Sequence, residues 1–339
     1  MRLLMTSYYN KTHMYSIRKI TDKEMSAYLS SRLPFLKEIP KLPQELFIRG
    51  EIPAQARTAE EAKQGKGYIY MTVVGSRKYS QYGKDACEML IAGLRGLPVV
   101  IVSGLALGID SIAHRAAMEA GLKTIAIPGS GIDDATIYPA SHLNLAREIL
   151  DRGGGLLSLF PENARAQVWM FPVRNHIMAG ISHATFVIEA DNKSGTLITS
   201  KYATDFNRDV FALPGSIFSP KSAGANMLIH SGAVSIGNTA QLRDALGFPD
   251  EEKSGEKSGG ENEKHTADLF ANTKEMPKDM SDTERKVFEV LTETKTADML
   301  MSELNVPVHE IQIALSSLEM KRCIREINGS YVIDTNRDR

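Results

Sequence analysis

The chain has 339 residues, with 40 Lys+Arg against 41 Asp+Glu and a formal net charge of −1. Its 42% hydrophobic and 24% charged residues form a globular composition with apolar material for two or three cored domains. The charge balance excludes a bulk polycation that coats nucleic acid by charge alone, and two distant cysteines, Cys87 and Cys323, exclude a disulfide scaffold or a C-x-x-C metal site.

Residues 1–67 hold 12 basic and 7 acidic groups. They read as a short N-terminal segment, a truncated or divergent helical module. Nothing before Met14 carries a pattern, so Met14 is a second candidate start. The beginning lacks the apolar core of a signal peptide, and no later run approaches the ~18 apolar residues of a membrane span. With cysteine usage suited to a reducing compartment, the chain reads as cytoplasmic with no membrane contact.

Residues 68–247 alternate apolar runs with helical periodicity. Strands are expected at Tyr68–Val74, Val99–Val102, Thr124–Ile127, Leu156–Leu159, Thr185–Glu189, Val210–Leu213 and, more weakly, Ala233–Ile236. Amphipathic helices are expected at Gly83–Leu94, Ile109–Ala120, Ser141–Arg152 and Thr196–Phe206. Near-continuous apolar strands separated by helices predict a parallel sheet covered on both faces, an α/β, Rossmann-like, doubly wound domain. Residues 248–280 are rich in Glu, Lys, Ser and Gly and read as a flexible acidic linker. In 281–335, Ser281 and Glu284 form an S-x-x-E capping box, Ile311, Leu315 and Leu318 share a helical face, and CIREINGSYVI reads as a hairpin about Asn-Gly. Three helices and a hairpin predict a small winged-helix domain.

Ligands in open α/β sheets bind beyond the carboxyl ends of the strands. There the first strand ends in Gly75-Ser76-Arg77, the second in Ser103-Gly104-Leu105-Ala106-Leu107-Gly108 and the third in Pro128-Gly129-Ser130-Gly131. Glycines let backbone N–H groups approach an anion, helix N-termini add a favourable dipole, and Ser76, Ser103, Ser130 and Arg77 can donate to phosphate. Such turns also serve tight packing, but three in succession with an Arg favour anion binding. Arg174, in the stretch Phe171–His176 ahead of an apolar helix, either reaches a phosphate or locks the loop through backbone carbonyls. Glu189 either accepts from a ribose or base or holds neighbouring loops. His114 and Asp133-Asp134 read as structural. There is no G-x-x-x-x-G-K-[S/T], complete G-x-G-x-x-G, G-x-S-x-G or H-E-x-x-H, so no cofactor, metal or catalytic residue is expected.

The ordered motifs VVGSR, VSGLALGID, AIPGSGID, FPVRNHIMAG, VIEADNKSGTLITSKYA and VFALPG, flanked by LPQELFIRG and GANMLIHSGA, resemble the DNA-processing protein A family (DprA, also called Smf) over roughly residues 40–247. The resemblance implies a non-enzymatic, homodimeric protein that binds single-stranded DNA, protects incoming strands and loads the RecA recombinase in natural transformation. It places DNA contacts at Gly75, Ser76, Arg77, Ser103, Gly104, Gly108, Arg174 and Asn175, with Tyr138 and Lys201 as further candidates. His176 stands where a second Arg is usual, and Leu107 where many relatives have Arg, which predicts weaker binding. The third helix of the tail, Val308–Met320, carries Glu310 and Glu319 with no Lys or Arg, which favours a protein contact over a duplex groove. The alternatives are a nucleotide phosphoribohydrolase-like enzyme, although Ser194-Gly195-Thr196 lacks the following Glu of that group's motif, and a nucleotide-sensing module whose tail binds DNA.

Overall fold

A computed structural model describes residues 16–249 and 280–333, apart from 292–294, 305, 322 and 328–329. Met14 and all but the ends of the expected linker lie outside the described residues. Phe248, assigned above to that linker, is buried in the core of the preceding body. The chain divides into two units, residues 1–254 and 255–339.

In the first unit, β1 (Ile17–Ile20), α1 (Asp22–Arg32) and β2 (Leu46–Gly50) precede α2 (Ala59–Lys63). Then come β3 (Ile69–Val74), α3 (Gln81–Ala92), β4 (Val99–Ser103), α4 (Ile109–Glu119), β5 (Lys123–Ala126), α5 (Leu143–Asp151) and β6 (Gly155–Ser158). The unit closes with α6 (Met170–Gly180), β7 (Ala184–Val187), α7 (Thr196–Asp205), β8 (Asp209–Ala212), α8 (Ala223–His230), β9 (Val234–Ser235) and α9 (Thr239–Ala245).

The strands form one nine-stranded sheet in the order β1-β2-β6-β5-β4-β3-β7-β8-β9. From β6 to β9 every pairing is parallel, and β2 and β1 join antiparallel beyond β6. All seven expected strands are present, with small shifts at their ends. The residues ahead of 68 contribute β1 and β2, which periodicity had not shown.

The central strand β3 shows why the sheet needs two covered faces. Ile69, Met71 and Val73 pack into a core with Leu90 of α3 and Ala113 of α4. The alternating Tyr70 and Val74 pack into a second core with Leu29 of α1 and Ile177 and Met178 of α6. Successive strand side chains point to opposite faces, so an unbroken apolar strand is stable only between two helical layers.

One expected boundary moves. Phe171–His176, expected ahead of an apolar helix, lies inside it, because α6 begins at Met170. Pro172 sits in its first turn, where a missing N–H costs no helical hydrogen bond. Arg174 and Asn175 therefore project from a helix.

The second unit contains α10 (Asp282–Val290), β10 (Lys295–Thr296), α11 (Ala297–Leu304), α12 (Val308–Met320), β11 (Ile324–Ile327) and β12 (Ser330–Ile333). Its strands pair antiparallel in the order β10-β12-β11, and the Asn328-Gly329 turn lies outside the described residues. Val287, Phe288, Leu300, Ile311, Leu315 and Leu318 form its own core. The capping box is formed reciprocally, Ser281 N–H donating to Glu284 at 2.7 Å and Glu284 N–H to Ser281 Oγ at 3.2 Å.

Candidate nucleic-acid interface

The β3–α3, β4–α4 and β5–α5 connections meet the start of α6 at the carboxyl edge of the sheet. A small cleft there is lined by Arg77, Leu107, Tyr138 and Phe171 and reaches Gly104 and Arg174. Arg77 is exposed, with its guanidinium carbon 5.7 Å from the centre of the Phe171 ring. Tyr138 also lies against Phe171, ring centres 5.8 Å apart and tilted by 53°. A cation over an aromatic face beside an exposed phenol is thus the chemical character of the opening.

Beneath it, Arg174 is 5% exposed and turned toward the backbone. One terminal nitrogen donates to the carbonyl of Gly104 and, at 2.6 Å, to that of Ile127, while Nε donates to Asn175 Oδ1 at 2.9 Å. Of the two roles open to it, the geometry selects the lock, tying the ends of β4 and β5 to α6. Asn175 turns its carbonyl to Arg174, which leaves its amide N–H groups as donors.

The β4–α4 loop is built around a buried carboxylate. Asp110 accepts from Gly104 N–H at 3.0 Å and Ala106 N–H at 3.4 Å. Burial pushes its carboxyl above the usual range, and Arg174 with the two amides only partly reverses this. A side chain on Gly104 would come within 1.9 Å of Arg174, and one on Gly108, at φ +83°, within 2.3 Å of the Ser76 carbonyl. These glycines serve close packing, and the Gly104 and Ala106 amides offered above to an anion are spent on Asp110.

Ser103 does not face the opening. It is fully buried, and its hydroxyl donates to the Val73 carbonyl at 2.6 Å, so it lies under the site. Ser130 is likewise buried, its hydroxyl donating to the Gly131 carbonyl at 2.9 Å. Ser76 stays partly open, its Oγ accepting from Lys78 N–H at 3.1 Å. Gly75 backs onto Ile109. Lys201 is exposed on α7, and no hydrogen bond, ion pair or ring contact among the described residues joins it to the group. Glu189 is buried and accepts from the Ser80 N–H at 2.9 Å and from the Ser80 hydroxyl, so it caps the approach to α3. His176 sits edge-on to Tyr202 and Phe206, ring centres 5.1 and 4.9 Å away, and burial, helped by Lys41, lowers its pKa.

A larger open hollow lies at the opposite, amino edge between Lys63, Gly96, Gly121 and Lys123. Its lysines are engaged, Lys63 over the Phe248 ring and Lys123 on the Gly153 carbonyl and the Glu51 carboxylate. Among the described residues no group of three or more His, Cys, Asp or Glu could hold a metal, and no helix is long and apolar enough to cross a membrane.

The model of the DNA recombination-mediator protein A family matches residues 20–247, which takes in α1, β2 and every strand of the parallel sheet. The chain belongs to that family. Within the family, it is 32% identical over 304 residues to Protein Smf of Escherichia coli, covering 88% of this chain and 74% of that protein. A crystal structure of DNA processing protein A from Streptococcus pneumoniae superposes with a TM-score of 0.58 at 32% identity, covering 71% of this chain and 78% of the other. The fold also matches DNA processing protein A from Helicobacter pylori, described for its single-stranded DNA binding mode, with a TM-score of 0.56 at 24% identity over 68% and 96% of the two chains.

Proposed function

We propose that the chain binds single-stranded DNA along the carboxyl edge of its parallel sheet, as a cytoplasmic, homodimeric, non-enzymatic mediator that passes the strand to a RecA-type recombinase. The observation that carries this is the juxtaposition of exposed Arg77 with the Phe171 and Tyr138 rings. The guanidinium suits a backbone phosphate, and the ring faces suit bases that are not already stacked in a duplex. Ser76 and the Asn175 amide are the remaining donors beside it, whereas Ser103, Gly104, Gly108 and Arg174 shape the loops that hold them. Membership of a recombination-mediator family supports the same reading.

We assign the second unit to a winged-helix accessory domain that contacts protein. Its third helix, α12, exposes His309, Glu310, Gln312, Ile313, Glu319 and Met320, a surface with no Lys or Arg for a phosphate backbone.

Gel shifts with single and double strands of equal length test the main reading. A preference for the single strand is expected, and equal or absent binding overturns it. Arg77→Ala should weaken binding to all sequences alike while leaving stability unchanged, because the side chain is exposed and reads no base edge.

A further inference from the structure

We infer that Trp169 is a nucleobase-stacking platform that extends the interface beyond the Arg77–Phe171–Tyr138 group. The inference rests on the single-stranded DNA reading above and adds to it a specific residue and contact. Trp169 is the only tryptophan of the chain and is 55% exposed, with Val168 beside it at 86%. A large aromatic that could bury ~150–250 Å² is instead left facing solvent.

Its ring is nevertheless held. The indole N–H donates to Gln167 Oε1 at 2.7 Å, and the ring stands edge-on to buried Phe160, centres 5.6 Å apart and planes at 89°. The loop that carries it is anchored too. The Gly131 N–H donates to the Ala164 carbonyl at 2.7 Å and the Asp133 N–H to the Glu162 carbonyl at 3.0 Å. An aromatic fixed before binding loses little freedom when a base settles on it.

Position and charge identify the occupant. Trp169 caps the start of α6, two residues before the Phe171 that Arg77 covers, so both rings belong to one edge of the sheet. From residue 163 to 188 there is no Asp or Glu, while Arg165 is exposed and Arg174 lies in the same stretch. An acid-free aromatic segment beside an exposed arginine accepts a polyanion whose bases are free to stack.

The experiment titrates the full chain with fluorescently end-labelled oligothymidylate, following label anisotropy and tryptophan emission in parallel. Since the chain holds one indole, emission reports on Trp169 alone. Quenching that saturates with the anisotropy is expected. Trp169→Ala should weaken binding about tenfold, Trp169→Phe should retain most of the affinity, and the slope of log K against log salt should be unchanged. An oligonucleotide of abasic residues should bind wild type and Trp169→Ala alike.

Binding by anisotropy without quenching overturns the assignment of Trp169 and leaves the DNA reading intact. Equal loss on the normal and abasic strands in Trp169→Ala overturns it as well, since that marks a structural role. A change of oligomeric state in Trp169→Ala, seen by sedimentation, would make the patch a protein contact and equally overturn it. Absence of any anisotropy change overturns the underlying DNA reading instead.

Discussion

At the scale of single residues, the polar groups of the body divide into those that face outward and those the fold has consumed. His114 and His183 belong to the second kind. His114 donates from Nδ1 to Thr124 Oγ1 at 2.7 Å, because that hydroxyl is itself donated to the Ile101 carbonyl. Its buried Nε2 has no partner among the described residues, and burial, with His142 and Arg174, pulls its pKa down to about 3. His183 accepts from Tyr70 N–H at 3.0 Å and donates to the Ala56 carbonyl at 2.9 Å, and burial holds its pKa at about 4. A histidine kept neutral by the fold takes its proton more readily once unfolded. Stability should therefore be fully present above pH ~6.5 and fall as the pH drops toward 4, each group adding up to about 1.4 kcal/mol per pH unit. Urea titrations across pH 4–7 on wild type and His114→Asn check this. The variant should be less stable at pH 7 yet show a flatter dependence, and parallel curves would remove His114 as a source.

At the scale of elements, the parallel strands were legible because buried strands read as continuous apolar runs, and the sheet follows from their alternation with amphipathic helices. Two features were not legible. β1 and β2 have four and five residues, too short for period-two patterning, and their place is fixed by antiparallel pairing, β2 onto β6 and the edge strand β1 onto β2. The second was the division of labour in the glycine loops. Sequence places Ser103, Gly104, Gly108 and Arg174 beside Ser76 and Arg77, but in the fold Asp110 takes the loop amides and Arg174 points inward. The lone Arg-Asn pair had left both roles open. The start of α6 consequently acts as a strut for two loops at once. Arg174→Ala should lower stability by about 2–4 kcal/mol, since it leaves the Gly104 and Ile127 carbonyls without their charged donor. Chemical denaturation checks it, and a loss below about 0.5 kcal/mol would mean that the lock is dispensable.

At the scale of the whole molecule, the net charge of −1 conceals a gradient. Residues 1–67 carry an excess of five positive charges, residues 68–247 an excess of one, and residues 248–280 and 281–339 excesses of four and three negative charges. A nearly neutral body cannot gather a strand by a broad field, so the few oriented donors at the sheet edge must supply the attraction. Salt dependence measures how few. Each phosphate neutralised on a single strand contributes about −0.7 to the slope of log K against log salt. One or two cationic contacts, from Arg77 and the exposed Arg165, give a slope of roughly −0.7 to −1.5, because the neutral donors beside them release no counterion. A basic groove running the length of the body would give a slope several times steeper. The shallow slope should survive removal of residues 255–339, because the acidic unit has its own core and no Lys or Arg on α12. Equilibrium titrations of the full and shortened chains at several salt concentrations decide it. A steep slope would move the main binding surface away from the Arg77 cleft, onto the basic residues ahead of the parallel strands.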